Sequence, residues 1–446
     1  MAAQRQGRRG GRKAESLVSC LRKFLTPSVW KQAQQHPGCP RGKQRWQLQP
    51  LMLVLLTMTW VTGDSQPERF ETARALCVVL LPKRRRPGRS VQGFQKALAR
   101  VPVPVLRALA AAIRTQLLRV LGGWLTSDGF IVLGGDGSRL RCPRTPELEA
   151  RLGKRSPEDA APQVWITAVV HVATGLLWSW RIGKGDASER HHLQDLIRTL
   201  PRAALVVADA GYQSYLLTKA MLDAGLHMLV RASTQTTLFT AERTPVSQWK
   251  EGIVYWWTQE AQRKNLPPLK MRLLRVRGRK HDVWLLTTVL DADRLPYAAA
   301  ARFYKMRWEN EGFFRTYKRT LGKVKLQSRT IALVHREVEG SLLAVQLLLA
   351  QGTYALSVLH KTKSLCSARQ ALQEIRAEIA AHLGPRQKGT YLRRLAQATR
   401  ERRQRTSGKV SRPWTSRNDH KPPKPPKILK MDSKLKQSLA KQLQAA

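Results

Sequence analysis

Phe130-Ile-Val-Leu133-Gly-Gly-Asp136-Gly-Ser138 is where the texture of this 446-residue chain changes from helical to sheet-forming. The run is apolar and β-branched, as a buried strand requires, and it delivers a carboxylate near its end. Val164–Ala173 and Leu176–Ile182 read as two further strands around a turn at Thr174-Gly175. Ser188–Leu200 predicts a helix, and Ala204–Val207 a buried strand that ends in Ala208-Asp209-Ala-Gly-Tyr212. Tyr215–Ala224 is helical in pattern, and Leu226–Val230 is strand-like. Three antiparallel strands followed by helix, strand, helix and strand predict a mixed α/β sheet.

Outward from this block the chain divides into regions. Residues 1–14, with Arg5, Arg8, Arg9, Arg12 and Lys13, predict a disordered basic arm. Residues 15–125 form a helical region: Ser16–Ala33 and Pro104–Leu121 carry apolar residues at three- and four-residue spacing. Within it, Pro82-Lys-Arg-Arg-Arg-Pro87-Gly88 is a loop basic enough to contact phosphate, or simply to be solvated. Residues 126–355 hold the α/β block, whose strand order is that of a ribonuclease H-like domain. Ile253–Trp257, Leu269–Arg277 and Val283–Leu290 mark an inserted β-rich subdomain at about 232–290. A long helix follows from about Pro296 to Leu321, then more helix. Residues 356–384 are helical and a possible dimerisation segment. Residues 385–446 are a basic, Pro/Lys-rich tail, with Pro422-Pro-Lys-Pro-Pro426, expected to be disordered until a partner is bound.

Composition narrows the partners. Lys and Arg number 79 against 30 Asp and Glu, a formal charge of +49. Such a charge repels itself unless a polyanion shares the space, and nucleic acid is the natural one because each neutralised phosphate releases a counterion. A hydrophobic fraction of 42% permits a sizeable core, which excludes whole-chain disorder. Five scattered cysteines without a C-x-x-C pair argue against a disulfide scaffold or a zinc ribbon and suit a reducing compartment. The apolar runs Leu51–Val61 and Ser341–Ala355 fall short of a membrane span, so no membrane partner and a cytoplasmic protein are expected.

The most specific signal lies in the long helix: Tyr304-Lys-Met-Arg307-Trp-Glu-Asn-Glu311-Gly-Phe-Phe-Arg-Thr-Tyr-Lys318. At about 100° per residue, Arg307, Glu311 and Lys318 fall roughly −60°, −20° and −40° from Tyr304, on one stripe. A solvated face with a Glu–Arg pair at i, i+4 would look the same. Phe303, Trp308 and Phe314 flank the stripe, however, and should keep it partly dry. Asp136 is open to a reading as an Asp-Gly hairpin turn, and Asp209 to one as a helix cap. A carboxylate after an apolar strand also points into the crevice at the strand's carboxyl end, where ligands bind.

The pattern Y-x2-R-x3-E-x6-K resembles the signature of bacterial insertion-sequence transposases of the DDE superfamily, in the cut-and-paste subgroup with a Y-R-E-K helix. A chance match is about one in 10⁵ per start position. The resemblance covers Phe130 to Lys318, and more loosely the chain to about Ala355. It implies that Asp136, Asp209 and Glu311 are the catalytic carboxylates and hold two Mg²⁺, with Mn²⁺ as a substitute. It implies that Tyr304, Arg307 and Lys318 hold terminal phosphates, and that Trp284 stacks on a flipped base, although a strand aromatic there could equally be core. The implied partners are double-stranded DNA, at element ends and target, and a second copy in a DNA-bound homodimer. The implied setting is the bacterial nucleoid. One departure is mild: Gly-Ser follows the first Asp where the family often has Gly-Thr. A non-catalytic DNA-binding protein is the alternative function. Glu189 and Asp186 read as helix caps, Trp256 and Trp257 as core, and His191 and His192 lack the companions a zinc site needs.

Overall fold

A computed structural model of the chain describes residues 16–40, 45–153, 161–241, 245–278, 281–360, 363–383, 390–399 and 425–444. The expected arm at 1–14 and most of the proline-rich tail lie outside the described residues. The described residues of Met1–Val120 and Glu339–Glu401 form one compact unit, and those of Leu121–Val338 and Arg402–Ala446 form another.

The first unit begins with six helices: α1 (Leu17–Phe24), α2 (Pro27–Gln35), α3 (Leu48–Trp60), α4 (Gln66–Leu80), α5 (Val91–Arg100) and α6 (Val103–Leu125), the last of which runs on into the second unit. Their starts follow from side chains that satisfy the otherwise unpaired first-turn N–H groups. Ser16, Thr26, Ser65 and Ser90 each accept from the backbone N–H three residues on. Helix α3 is apolar nearly all round and is buried accordingly, with Leu51, Met52, Val54, Leu56 and Trp60 in the core. Trp46, Phe70 and Phe94 meet edge-on or tilted nearby.

The second unit is built on a mixed sheet. Its strands are β1 (Thr126–Ser127), β2 (Phe130–Arg141), β3 (Gln163–His171), β4 (Leu177–Lys184), β5 (Leu205–Ala208), β6 (His227–Arg231), β7 (Thr237–Thr240), β8 (Glu251–Trp256), β9 (Leu269–Val276), β10 (Val283–Thr287) and β11 (Lys427–Lys430). Among the described residues the order is β11-β7-β8-β9-β10-β6-β5-β2-β3-β4, with β1 pairing the start of β2. Strands β2, β3 and β4 are antiparallel, β5 lies parallel to β2, and β6 parallel to β5. Every residue of β3 is buried, as a strand covered on both faces must be.

Its helices are α7 (Pro146–Arg151), α8 (Glu189–Leu196), α9 (Tyr215–Asp223), α10 (Gln259–Arg263), α11 (Tyr297–Met306) and α12 (Glu309–Arg315). The strands at 232–290 do not stand apart from the sheet. Strand β10 pairs antiparallel with β6 and carries β9, β8 and β7 outward, so this segment lengthens the same sheet.

Four elements follow: α13 (Ile331–Leu359), α14 (Ala368–Leu383), α15 (Tyr391–Thr399) and α16 (Ser433–Gln444). In the first unit, Trp60 donates its indole N–H to the Ala344 carbonyl of α13 at 3.1 Å. A Cβ at Gly340 would run into Leu55, so glycine lets α13 approach α3 closely. Helix α13 extends past the apolar run at both ends and is long and apolar enough, by length and composition, to cross a membrane. That corrects the expectation of a shortfall; 78% of its apolar window is nevertheless buried inside the protein.

The tail is also more ordered than its composition predicts. Strand β11 pairs parallel with β7, Lys427 N–H donating to Thr236 and Met431 N–H to Thr240. The edge of β7 offers unpaired backbone groups, and the tail covers them.

Candidate active site

Strand β2 passes through Asp136, which pairs with Ala168 of β3, so Asp136-Gly137 is not a turn. Pairing between β2 and β5 ends at Gly134, two residues earlier. Asp136 therefore sits half-buried just beyond the parallel pair, and its Oδ1 accepts the Gly137 N–H at 2.8 Å. Residue 137 has to be glycine: a Cβ there would lie 2.6 Å from the Trp165 ring and 2.7 Å from Glu189 Oε1.

Asp209 follows the last residue of β5 and opens a tight turn, Ala210–Tyr212. Its Oδ1 accepts the Gly211 N–H at 2.8 Å. Because β5 lies beside β2 and parallel to it, both aspartates lie at the carboxyl end of the pair, Asp136 still within β2 and Asp209 just past β5. Glu311 is exposed on α12, which packs on β2 and β3.

These three carboxylates, drawn from distant parts of the chain, bear on one another. Burial pushes the Asp136 carboxyl up to about 6, and the charges of Asp209 and Glu311 push the same way. The Gly137 N–H and the Arg307 guanidinium oppose that rise. A carboxyl whose folded pKa is raised contributes stability that is present below its unfolded pKa and is lost as pH rises through the folded value. Without divalent cations the protein should therefore lose up to about 3 kcal/mol of stability between roughly pH 4 and pH 6 through this one group. Urea unfolding in EDTA at a series of pH values checks this: Asp136→Asn should flatten that part of the profile. An unchanged profile would mean that Asp136 is well solvated.

Glu189 corrects the sequence expectation. The N-cap of α8 is Ser188, with no side-chain capping bond, and Asp186 lies against Gly153. Glu189 instead turns its carboxylate to the sheet. Burial raises its pKa, and the charges of Asp136 and Asp209 add to the effect. Tyr212, 1% exposed, is also raised, by burial and by the charges of Glu189, Asp136 and Asp209. Arg190 Nε holds the Gly211 carbonyl at 2.6 Å, fastening the start of α8 to the Asp209 turn.

The predicted continuous helix is a second correction. It breaks at Arg307-Trp308 and ends in a wide π-helical turn, Thr316–Thr320. The twisted sheet beneath explains the break: α11 packs on β5 and β6, whereas α12 packs on β2 and β3, and one straight cylinder cannot follow both. Phe303 is buried before the break, and Phe313, Phe314 and Tyr317 after it.

The single stripe is thus rearranged. Arg307, expected to reach out to DNA, is 8% exposed, and its Nε has no hydrogen-bond partner. Its guanidinium lies 5.7 Å from the Tyr304 ring centre and 4.9 Å from that of Trp308, and its charge favours ionised Asp136. Burial raises the Tyr304 phenol while Arg307 and Arg231 oppose it, and the charge of Asp209 reaches it too. Lys318, on the π turn, is half-buried and lowered by burial.

Trp308, expected with Phe303 and Phe314 to keep the stripe partly dry, is instead 57% exposed beside the buried Arg307. Trp284 is 7% exposed within β10, with Arg275 over its ring at 5.6 Å. That burial fits the core reading of a strand aromatic. Trp256 and Trp257 are buried, as expected.

The donors Asp136, Asp209 and Glu311 are all carboxylates, the set that suits Mg²⁺ or Mn²⁺. The Asp136 carboxyl is raised by burial first and by the charges of Asp209 and Glu311 second, and a cation beside it would oppose both. As they stand, no three His, Cys, Asp or Glu side chains among the described residues are drawn tightly enough together to ligate one ion.

Comparison with known proteins reaches the same region. Residues 135–347 match the family model described as a transposase DDE domain. Over 230 residues the chain is 29% identical to the transposase InsG for insertion sequence element IS4 of Escherichia coli (strain K12), covering 49% of this chain and 51% of that protein. The chain thus spans about half the length of that relative. Among solved structures, the piggyBac transposase synaptic complex with hairpin DNA aligns with TM-score 0.38 and 13% identity over 92% of this chain and 91% of that one. The Mos1 mariner paired-end complex with Mn aligns with TM-score 0.16 and 12% identity over 49% and 69%. Alignments this loose assign no corresponding residues.

Proposed function

From the match of residues 135–347 to the transposase DDE domain and the similarity to an insertion-sequence transposase, we propose that this chain is the transposase of its own element. In this reading it binds the terminal inverted repeats, hydrolyses DNA at the element ends and joins the freed 3′-OH ends to target DNA. The observation that carries the reading is that Asp136 and Asp209 lie at the carboxyl end of the parallel β2–β5 pair within the matched region, where the charge of Glu311 also reaches Asp136. The order β4-β3-β2-β5-β6 supports a ribonuclease H-like catalytic domain, with residues 232–290 as its insertion.

Asp136, Asp209 and Glu311 would hold two divalent cations. When bound, such ions supply activation of the attacking oxygen and relief of charge on the leaving oxygen. The chain's own residues prepare that place. The Gly137 and Gly211 N–H groups fix one oxygen of each aspartate, leaving the other for a ligand. Arg307 restrains the repulsion between carboxylates from inside, and Tyr304 lines the same pocket of charge. Lys318 and the exposed face of Trp308 are suited to the phosphates and bases of an end held over α12. The +49 charge attracts DNA over a wide surface, and the helical region at 15–125 is the proposed reader of the repeats. Two ends must be held together for transposition, so a homodimer on DNA is part of the proposal, as is a place in the bacterial cytoplasm at the nucleoid.

The test is a duplex carrying the element's end, taken from DNA flanking the gene, incubated with the protein and Mg²⁺. The reading predicts a cut at the element boundary that EDTA suppresses. Tight, specific binding with no cut in Mg²⁺ or Mn²⁺ would favour a DNA-binding protein without nuclease action.

A further inference from the structure

We propose that the loop at 83–89 and the outer face of α5 form a site for double-stranded DNA. The loop holds the phosphate backbone, and α5 reads base edges in the major groove. The inference rests on the end-binding reading above and names the elements that would perform it.

Charge is the first observation. From residue 72 to residue 127 the sequence has no Asp or Glu, while Lys and Arg recur throughout. Lys83, Arg85, Arg86 and Arg89 are exposed, and among the described residues none of them pairs with a carboxylate. Arg85 donates instead to the Gln49 amide oxygen at 3.5 Å. Helix α4 touches α5 through Gln95 and Gln66, but its acids are engaged elsewhere. The Glu68 carboxylate accepts the Asp64 N–H at 2.9 Å, and Glu71 pairs with Arg74 at 3.1 Å. Cations crowded in this way repel one another until a polyanion is bound.

The loop is also built into the fold rather than merely solvated. Pro87 and Gly88 are buried. A Cβ at Gly88 would lie 2.8 Å from the Trp46 indole nitrogen, so glycine lets the loop close onto that ring. Trp46 in turn meets Phe70 and Phe94, with ring centres 6.2 and 5.5 Å away. The Ser90 hydroxyl accepts the Gly93 N–H at 3.1 Å and starts α5 directly from the loop. A loop anchored on its inner side presents its arginines with less ordering still to be lost on binding.

Helix α5 supplies the third observation. Phe94 and Leu98 are its buried residues, and Gln92, Lys96 and Arg100, spaced four apart, are exposed. Gln suits adenine and Lys or Arg suits guanine in the major groove, which is about 12 Å wide and admits a helix. The aromatic rings of this corner, Trp46, Phe70 and Phe94, are buried. They offer no platform on which single-stranded bases could stack, which favours a duplex.

Fluorescence anisotropy of the full chain in EDTA, where no cut is made, tests the proposal. The two labelled probes are a duplex carrying the element's end, taken from DNA flanking the gene, and a scrambled duplex of the same length. Arg85→Ala/Arg86→Ala/Arg89→Ala should weaken binding to both and flatten the slope of log affinity against log salt by about three units. Arg85→Lys/Arg86→Lys/Arg89→Lys should keep the slope, which separates lost charge from a disturbed loop. Gln92→Ala changes no charge; it should cut the preference for the end duplex about tenfold and leave the slope alone.

An unchanged slope in the triple Ala variant would overturn the loop's part and leave it a solvated surface. Unchanged preference in both Gln92→Ala and Lys96→Ala would overturn the part given to α5 and place the reader elsewhere in the chain, with the end-binding reading still standing. Equal binding of both duplexes by the unaltered protein would instead defeat the end-binding reading itself.

Discussion

Glu311→Gln is expected to slow cleavage at the element end by about 10³-fold or more while leaving end binding within a few fold. Glu311 is exposed on α12, and its amide replacement keeps shape and volume, so the folded state should hardly change. What is lost is one negative oxygen donor in a group where Asp136 already feels the charge. A cation acting on the reacting oxygens is worth several kcal/mol, and each 1.36 kcal/mol is tenfold in rate. Binding depends on the basic surface and the helical region, which the change leaves alone. Single-turnover cleavage, a gel-shift titration and a melting curve on the same preparation check this. Parallel loss of cleavage, binding and Tm would make Glu311 a structural residue.

Glu337→Ala should lower stability by about 3–5 kcal/mol, the range for removing one partner of a buried ion pair. The Glu337 carboxylate accepts from Lys323 Nζ at 3.0 Å, from Gln327 N–H at 3.1 Å and from Ser328 N–H at 2.9 Å. Burial alone would raise its carboxyl, but the Lys323 charge and the Ser328 bonds hold it below the ordinary range. Lys323 and Glu337 are both almost wholly covered, so Ala would strand a buried ammonium and two amide donors. The segment they fix also matters for the site. Leu326 N–H donates to the Arg141 carbonyl at the end of β2, so the chain leaving α12 is tied to the strand that carries Asp136. A depressed carboxyl contributes stability above its unfolded pKa and loses it as pH falls through the folded value. Urea unfolding across a pH series should therefore show a large gap between Glu337→Ala and the unaltered protein at pH 7 that narrows only as pH falls below the ordinary carboxylate range. Equal stability at pH 7 would mean that the clamp adds nothing.

The central sheet was legible because its signals are local. The apolar, β-branched runs at 130–133 and 204–207 read as strands without knowledge of their neighbours, and each hands over directly to an aspartate. Family resemblance then ordered Asp136, Asp209 and Glu311, and in the fold the charges of Asp209 and Glu311 reach Asp136. Glu189 was hidden by the same locality. As the first residue of a helix it satisfies every capping rule, and only the close approach of α8 to Gly137 reveals where its carboxylate goes.

The break at Arg307 was hidden for a different reason. A 100° projection assumes a straight cylinder, whereas the helix follows a twisted sheet from β5 and β6 to β2 and β3. Breaking it turns Arg307 inward and leaves Trp308 outside, the reverse of what a smooth stripe implies. Trp284 shows that an aromatic in a strand pattern is settled by burial, which one sequence does not display. At 427–430, Lys-Ile-Leu-Lys is too short and too charged to read as a strand, and the waiting edge of β7 makes it one.

The most direct test of the account pairs the unaltered protein with Asp209→Ala on an end-bearing duplex in Mg²⁺. Asp209 has no buried packing role that its loss would disrupt beyond one turn, so the variant should fold and bind the end. The account predicts a cut at the element boundary by the unaltered protein and none by Asp209→Ala. The same cut by both proteins would remove Asp209 from the reaction and contradict the site described here.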